Sequence, residues 1–295
     1  MSWLKEFPSL GSEQLSAVRR AVDGAFRSFT REHGETMERL FDPLREFLLV
    51  SERLLTQSPW PLVVGGIALI AWLASRSMKI VIGTVLTLLA IGYFGMWDDT
   101  MKTISMIFVC TVVALVVGLP LGIAMSRWDR LQKVVNPTLD VMQTMPSFVY
   151  LIPVVMLLGI GRVPGLIAVV IYAIPPVIRF TNLGIRLVDK DLLEAADAFG
   201  SSTWQKMHQV QLPLALPTIM AGVNQTIMLS LAMVVIASMI GVQGLGQPVL
   251  KAISNQYFTM GVFNGLAIVG IAIIFDRVSQ AYGKRLQKHL EVVHG

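Results

Sequence analysis

The chain has 295 residues, of which 54% are hydrophobic and 15% charged, with a mean hydropathy of +0.65 and a net charge of +5. Soluble domains carry about 25% charged residues, whereas here apolar runs near the bilayer length of about 20 residues recur from Pro59 to Phe275 and leave no room for a separate globular core. The basic residues lie beside those runs, as in membrane proteins generally, so the partner they imply is the lipid bilayer and no nucleic acid.

Residues 1–58 carry eight Lys/Arg and nine Asp/Glu. They lack the apolar core of a cleavable signal peptide, so the first span is expected to act as the insertion signal. Leu15, Val18, Val22, Phe26 and Phe29 recur at helical spacing, which predicts an amphipathic helix lying on the membrane or packing on a bundle. Asp42-Pro43 reads as a second start, an N-cap followed by proline at the first helical position. Seven spans are predicted after this arm, at about 59–75, 80–97, 101–125, 137–159, 163–182, 214–240 and 259–276. Trp60, Trp72, Trp97 and Trp128 fall near span ends, where an indole prefers to sit. The domains are therefore an arm (1–58), a membrane domain (59–278) and a short tail (279–295).

Arg76, Lys79, Arg127, Arg130, Lys133, Arg179, Arg186, Lys190, Lys206, Arg277, Lys284, Arg285 and Lys288 fall on one side of these spans. The opposite loops hold only Lys102, Arg162 and Lys251, so the first side is expected to be cytoplasmic. An odd number of spans then puts the N-terminus outside and the C-terminus in the cytoplasm. Gly118 and Gly122, Ala237 and Gly241, and Gly261 and Gly265 sit four apart, a spacing that lets helices approach closely in lipid.

Several chemistries lack their residues. There is no phosphate-binding G-x-x-x-x-G-K-[ST], and "GVQGLG" at Gly241–Gly246 lacks the strand-to-helix setting of a dinucleotide site, so it reads as a turn. The four histidines at 33, 208, 289 and 294 form no metal-binding motif, and Cys110 is alone, which fits small-residue packing. Span centres hold almost no ionisable residues, which argues against a self-powered, ion-coupled transporter.

One polar stretch interrupts the apolar runs: "EAADAFGSSTWQKMHQVQLPLALP", Glu194 to Pro217. Its local signals predict two short helices joined by a tight turn. Asp191 with Glu194 suits an N-cap pair, Gly200 suits a helix end with positive φ, Ser202 with Gln205 repeats the capping pattern, and Pro213 closes the second helix. Leu192, Ala195, Ala196 and Phe199 make one apolar face, and Trp204, Met207 and Val210 the other. A polar hairpin with such faces needs something to dock against, be it its own bundle or a partner.

"EAADAFG" followed after nine residues by "VQLP" resembles the EAA signature of ABC-importer permeases, with Val210 in place of the usual isoleucine. From about Met142 to Gln280, including "TMPSFVYLIPVVMLLGIG", "MAGVNQTIMLSLAMVVIASMIGVQGLGQPVL" and "FDRVSQAYG", the chain resembles permeases of glycine betaine/proline importers (the ProU or OpuA type) and their choline-importing relatives. The resemblance implies an all-α polytopic membrane protein with the type I ABC-importer permease fold, a permease subunit rather than an enzyme. It implies two copies of this chain, two ATPase subunits that bind ATP and magnesium, and a separate substrate-binding protein, in a bacterial inner membrane. The cargo it implies is glycine betaine, proline betaine, choline or a related quaternary amine, taken up as an osmoprotectant.

Carried over by position, Glu194, Ala195, Ala196, Gly200, Leu212 and Pro213 would form the ATPase-coupling element. Met142, Gln143, Thr144 and Met145 on the fourth span and Asn224, Gln225, Thr226 and Ser230 on the sixth are candidate path liners, and helix packing explains their polarity about equally well. Phe148, Tyr150 and Tyr172 show no spacing that defines an aromatic cage. An ABC permease for another small solute such as an amino acid, and an osmotically gated channel, are the alternatives.

Overall fold

The computed structural model describes residues 11–294, with side chains undescribed at 33, 35, 38 and from 288 onward; the first ten residues of the arm, Gly295, and the side chains of His33, Lys288, His289 and His294 lie outside that description. Every regular element among the described residues is helical. A membrane explains this, because a helix satisfies its backbone groups within one segment where no water can.

The arm is one helix, α1 (Ser12–Gln57), with Pro43 inside it. The second start expected at Asp42-Pro43 does not form. Proline removes one N–H and crowds one turn, which this long helix tolerates without a break. Leu48 on its last third is buried, and the Phe47 and Phe108 rings lie 6.1 Å apart, so this part packs on the bundle. α1 meets α2 (Trp60–Ser75) at 113°. α3 (Met78–Tyr93) returns antiparallel to it.

α4 (Trp97–Arg127), a 31-residue helix, is the first of four that can each cross a membrane alone. The others are Arg162–Arg186, which comprises α7 (Arg162–Ala173) and α8 (Pro175–Arg186), then Thr203–Ile240, and finally Phe258–Gln287 within α13 (Phe258–His294). The expected spans 101–125, 163–182, 214–240 and 259–276 each fall inside one of them. Counting each bent pair as one crossing raises the number to six among the described residues, where seven were expected; α3, over the expected 80–97 span, is apolar but only 16 residues long.

The span expected at 137–159 takes a different form. α5 (Asp129–Thr144) and a 3-10 turn (Ser147–Tyr150) leading into α6 (Leu151–Leu158) are bent by 112°. Pro146 is the cause: the residue before proline is driven to extended backbone, and Met145 sits at φ −67°, ψ 134°. The Tyr150 hydroxyl donates to the Met142 carbonyl across the break, and Tyr150 and Tyr172 meet edge to face at 5.7 Å.

α8 lies at the centre, packed on α4 and on α11 (Leu212–Ala237). Close approach explains the contact with α4. A Cβ on Gly118 would sit 2.4 Å from Val177, and one on Gly122 2.6 Å from Thr181 and 2.8 Å from the Ile178 carbonyl. That glycine spacing serves packing within one chain, whereas Gly265 meets nothing within 4 Å. Cys110 is buried with its thiol toward the Leu166 carbonyl, which fits its expected packing role. Short helices α9 (Lys190–Ala198) and α10 (Thr203–Gln205) project at one end, and α12 (Gly246–Asn255) caps the other.

The two ends differ in charge. One, here called the basic end, gathers Arg76, Arg127, Arg130, Arg186 and Arg285, and its charges cap carbonyls: Arg285 donates to Leu73 at 2.9 Å and Arg186 to Met125 at 2.9 Å. Positive charge beside exposed helix C-terminal carbonyls is favourable through the helix dipole. Arg179, counted from sequence among these flanking charges, is instead inside the α8 span, ion-paired with Asp140 of α5.

Candidate functional site

The polar stretch at the basic end folds as a hairpin of α9 and α10, set by local bonds. The first helix starts at Asp189, whose Oδ1 accepts from the Asp191 N–H at 3.0 Å. The N-cap is therefore two residues earlier than the expected Asp191, which serves as a first-turn acid. α9 ends as expected at Gly200, φ +76°, where the Gly200 N–H donates to Asp197 O at 2.9 Å and the Ser201 N–H to Ala196 O at 3.0 Å. This pair of bonds is the Schellman ending that a left-handed residue permits. Ser202 and Gln205 then form the expected reciprocal capping box, at 2.8 and 3.3 Å.

Pro213 does not close the second helix. Lys206–Gln211 winds as a π-helical turn between α10 and α11, so Thr203–Ile240 runs as one 38-residue helix. The wider turn re-registers the backbone bonds ahead of Pro213, whose missing N–H would otherwise orphan a carbonyl.

The hairpin is braced on three sides. Lys206 Nζ pairs with both Asp197 carboxylate oxygens at 2.6 and 2.7 Å, joining its two arms. Arg127 at the end of α4 donates to the Thr203 carbonyl at 3.0 Å. Met207 is 2% exposed within a cluster of Ile185, Ala215 and Ile219, and Ala196 is buried as well. The remaining apolar residues face outward: Phe199 is 91% and Trp204 69% exposed, with the Trp204 ring against His208 at 3.8 Å. Of the carried-over coupling positions, Glu194, Ala195 and Gly200 are exposed, whereas Ala196, Leu212 and Pro213 are partly or fully buried. Each of the two expected apolar faces is thus split, with Ala196 and Met207 anchoring the hairpin and Ala195, Phe199 and Trp204 left exposed.

The path candidates do not form one surface. Gln143 and Thr144 are exposed near the α5–α6 break, with Met142 and Met145 half-buried beside them. Gln225 is exposed. Thr226 and Ser230, one turn apart, are fully buried inside a single copy, and their hydroxyls lack a partner among the described residues. Asn224 bridges α11 to α13: its amide donates to Asp276 at 3.0 Å and its carbonyl oxygen accepts from the Ser279 hydroxyl. Gln280 completes the group by donating to Asp276 at 2.6 Å. Asp276, Ser279 and Gln280, spaced as one helix face within "FDRVSQAYG", were legible as a polar stripe and went unread. The same holds for Asp140, three residues before Gln143.

Two open cavities flank Phe180 of α8. One, about 370 Å³, is lined by Asn136, Asp140, Arg179, Phe180 and Leu183. The other, about 340 Å³, lies between α11 and α13 and includes Asn224, Gln225, Ser279 and Gln280.

These features define a helical membrane bundle with a braced polar hairpin whose aromatic side chains stand exposed at its basic end. Residues 114–288 match the family described as binding-protein-dependent transport system inner membrane component, and the chain belongs to that family. It is 49% identical over 233 residues, 79% of this chain and 66% of the relative, to the glycine betaine/proline betaine transport system permease protein ProW of Escherichia coli (strain K12). It is 48% identical over 229 residues, 77% of this chain and 81% of the relative, to the glycine betaine/carnitine transport permease protein GbuB of Listeria monocytogenes serotype 1/2a (strain 10403S). The chain spans 66% of the length of the Escherichia coli ProW and 61% of that of the Salmonella typhimurium ProW. An inward-facing structure of the MetNI methionine ABC transporter superimposes with a TM-score of 0.57 at 20% identity, covering 62% of this chain and 92% of that one. The fold is that of a type I ABC-importer permease.

Proposed function

We propose that this chain is the permease subunit of an ATP-driven importer for glycine betaine or a related small quaternary amine, and that the α9–α10 hairpin is where its ATPase docks. The observation that carries this reading is the hairpin itself, braced by an ion pair, a capping box and a Schellman turn, yet leaving Phe199, Trp204 and Glu194 exposed. Exposed aromatics on a rigid support are the anchors that protein interfaces use. The cargo is taken from what the ProW and GbuB relatives are named for.

In this reading the basic end is cytoplasmic, following the placement of Lys and Arg, and with α2 and the short α3 each taken as a crossing the odd count puts the N-terminus outside and the C-terminus inside a bacterial inner membrane. Two copies enclose the path, with an arm (1–58), a permease domain (59–278) and a tail (279–295) in each. Two ATPase subunits, which hold the ATP and magnesium, dock on the paired hairpins, and a separate binding protein delivers the solute on the opposite side. ATPase closure displaces the hairpins. Because α10 runs into α11 without a break, that displacement moves the far end of α11 as well.

The test is ATP hydrolysis by the reconstituted permease–ATPase complex, with a binding protein added empty or loaded with glycine betaine, proline betaine, carnitine or choline. Stimulation by a loaded form is expected. Hydrolysis indifferent to every loaded form would refute the proposed cargo, and loss of no activity in Glu194→Ala and Phe199→Ala together would refute the docking site.

A further inference from the structure

α5 is less apolar than α4 and α8, on which it packs, and its exposed side carries Asp140, Gln143 and Thr144. Such residues do not face lipid, where each unsatisfied polar group costs several kcal/mol, and so they border water or another chain. Asp140 pairs with Arg179 across the groove between α5 and α8. Arg179 lies seven residues from Arg186, about 10 Å along the helix at 1.5 Å per residue, and therefore within the inner half of the span. Asp140 engages one terminal nitrogen, Nη2, while the buried Nε has no partner among the described residues. A guanidinium is a planar fork of five donors suited to a two-oxygen acceptor. The cavity beside it holds about 370 Å³, with Phe180 as its aromatic wall, within the size range of small-molecule sites.

We propose that Arg179, Asp140 and Phe180 form a transit subsite for a small carboxylate-bearing ammonium zwitterion on the inner half of the translocation path, an inference that rests on the function proposed above. The ligand carboxylate displaces Asp140 from the Arg179 fork. Its ammonium lies against the Asp140 carboxylate and the Phe180 ring, held by charge and cation–π attraction. The exchange is neutral: one internal pair opens and two pairs with the ligand replace it, so no bare charge is left in the span. A quaternary ammonium has no N–H to give Asp140, so it cannot reproduce the arginine's hydrogen bond. The site consequently holds its ligand weakly, as a path must if the solute is to leave.

Saturation-transfer NMR on the full permease–ATPase complex in nanodiscs, without binding protein, tests this with glycine betaine and choline as probes. Wild type is expected to bind glycine betaine about tenfold more tightly than choline, the worth of one charge-assisted contact. Arg179→Gln should remove that preference by weakening glycine betaine, while choline, freed of competition for Asp140, should bind no less tightly than in wild type. Arg179→Lys, which keeps the tether to Asp140 without the fork, should retain part of it and thereby separate ligand contact from helix packing. Equal binding of the two probes by wild type, or an unaltered preference in Arg179→Gln, overturns the subsite. Those results alongside hydrolysis still stimulated by a loaded binding protein would sink the subsite alone, whereas absent stimulation by any zwitterion sinks the function it rests on.

Discussion

Gly200 is where the hairpin depends most on a single backbone angle. Its φ of +76° lies in the left-handed region, and a Cβ there would meet nothing within 4 Å. Substitution therefore costs conformational energy and no steric energy, which makes the position a clean test. An L-residue forced into this region costs about 1 to 2 kcal/mol, less for Asn and more for a β-branched residue. That corresponds to a factor of about 5 to 30 in the population of the native turn. The capping box lies beyond the turn and stays intact, so both helices persist, while the Asp197–Lys206 pair that bridges the turn limits how far it relaxes. ATPase docking must then reimpose the strained angle. Titrating the ATPase onto reconstituted permease and reading substrate-stimulated hydrolysis should show half-maximal concentration raised about 5- to 30-fold in Gly200→Ala, more in Gly200→Val and least in Gly200→Asn. The maximal rate at saturating ATPase should be unchanged, as should thermal unfolding of the bundle, because the turn is exposed. If Val and Asn weaken docking equally, or Val does not weaken it at all, φ at this position does not govern the hairpin and the reasoning fails.

Other positions separate packing from docking. Gly122→Val places carbon atoms against Thr181 and the rigid Ile178 carbonyl, so thermal stability should fall by about 1 to 3 kcal/mol or more; Gly265→Val, with open space around it, should melt with wild type. Phe199→Ala and Trp204→Ala should each weaken ATPase affinity, by about 1 kcal/mol or more as truncated interface anchors do, while leaving the permease melting curve in place; parallel losses of both would point to a folding role instead. Asp197→Ala removes a pair whose aspartate is 56% exposed, and its effect on stability should stay within the 0.2 to 1 kcal/mol of exposed pairs, about enough to be resolved by calorimetry. At the other end, Glu52→Gln takes from Arg162 its 2.8 Å ion pair with α1, leaving it Gln243. Hydrogen exchange in the last third of α1 should then speed up several-fold, and no change would mean that apolar contacts around Leu48 alone hold the arm.

What the sequence made legible was whatever depends on neighbours a few residues apart. Ser202 with Gln205 and the glycine at 200 declare caps through i to i+3 relations, and the structure forms both. The apolar runs declare seven crossings, of which four form as single helices long enough to span alone, because lipid leaves a chain no other way to satisfy its backbone. Errors arose where two local readings compete. Asp189 and Asp191 both favour a helix start, one as cap and one as first-turn charge, and only the Leu193 N–H to Asp189 carbonyl bond, at 3.3 Å, fixes which is which. Pro213 favours a helix stop, yet the π-helical turn before it carries the helix through. Pro146 did signal the break inside the expected 137–159 span, but the hydropathy around it masked the signal. Pairs formed across the bundle were beyond reach: Asp140 and Arg179, Glu52 and Arg162, and Asn224 and Asp276 are joined only once α5, α7, α8, α11 and α13 are in place.

The continuity of Thr203–Ile240 gives these separate features one mechanical sense. At about 1.5 Å per residue its 38 residues extend about 57 Å, from the exposed Trp204 at the hairpin to Ile240 at the far end. There the Ile240 carbonyl accepts from the Gly161 N–H at 2.9 Å, and the Leu245 N–H donates to the Thr103 hydroxyl at 2.9 Å. Arg162, next to Gly161, reaches both Gln243 and Glu52. One helix thus joins the hairpin to a knot that ties α4, α7 and the arm together at the opposite face. Midway along it Asn224 is bonded to α13, and Gly222 lies against Phe180. A shift at the hairpin cannot be absorbed by a loop, because none intervenes, so it must either move the knot or break the Asn224 and Phe180 contacts on the way. Moving the knot displaces α7 and breaking the Phe180 contact frees α8, so both reach the groove of Arg179 and Asp140, as the coupling proposed above requires.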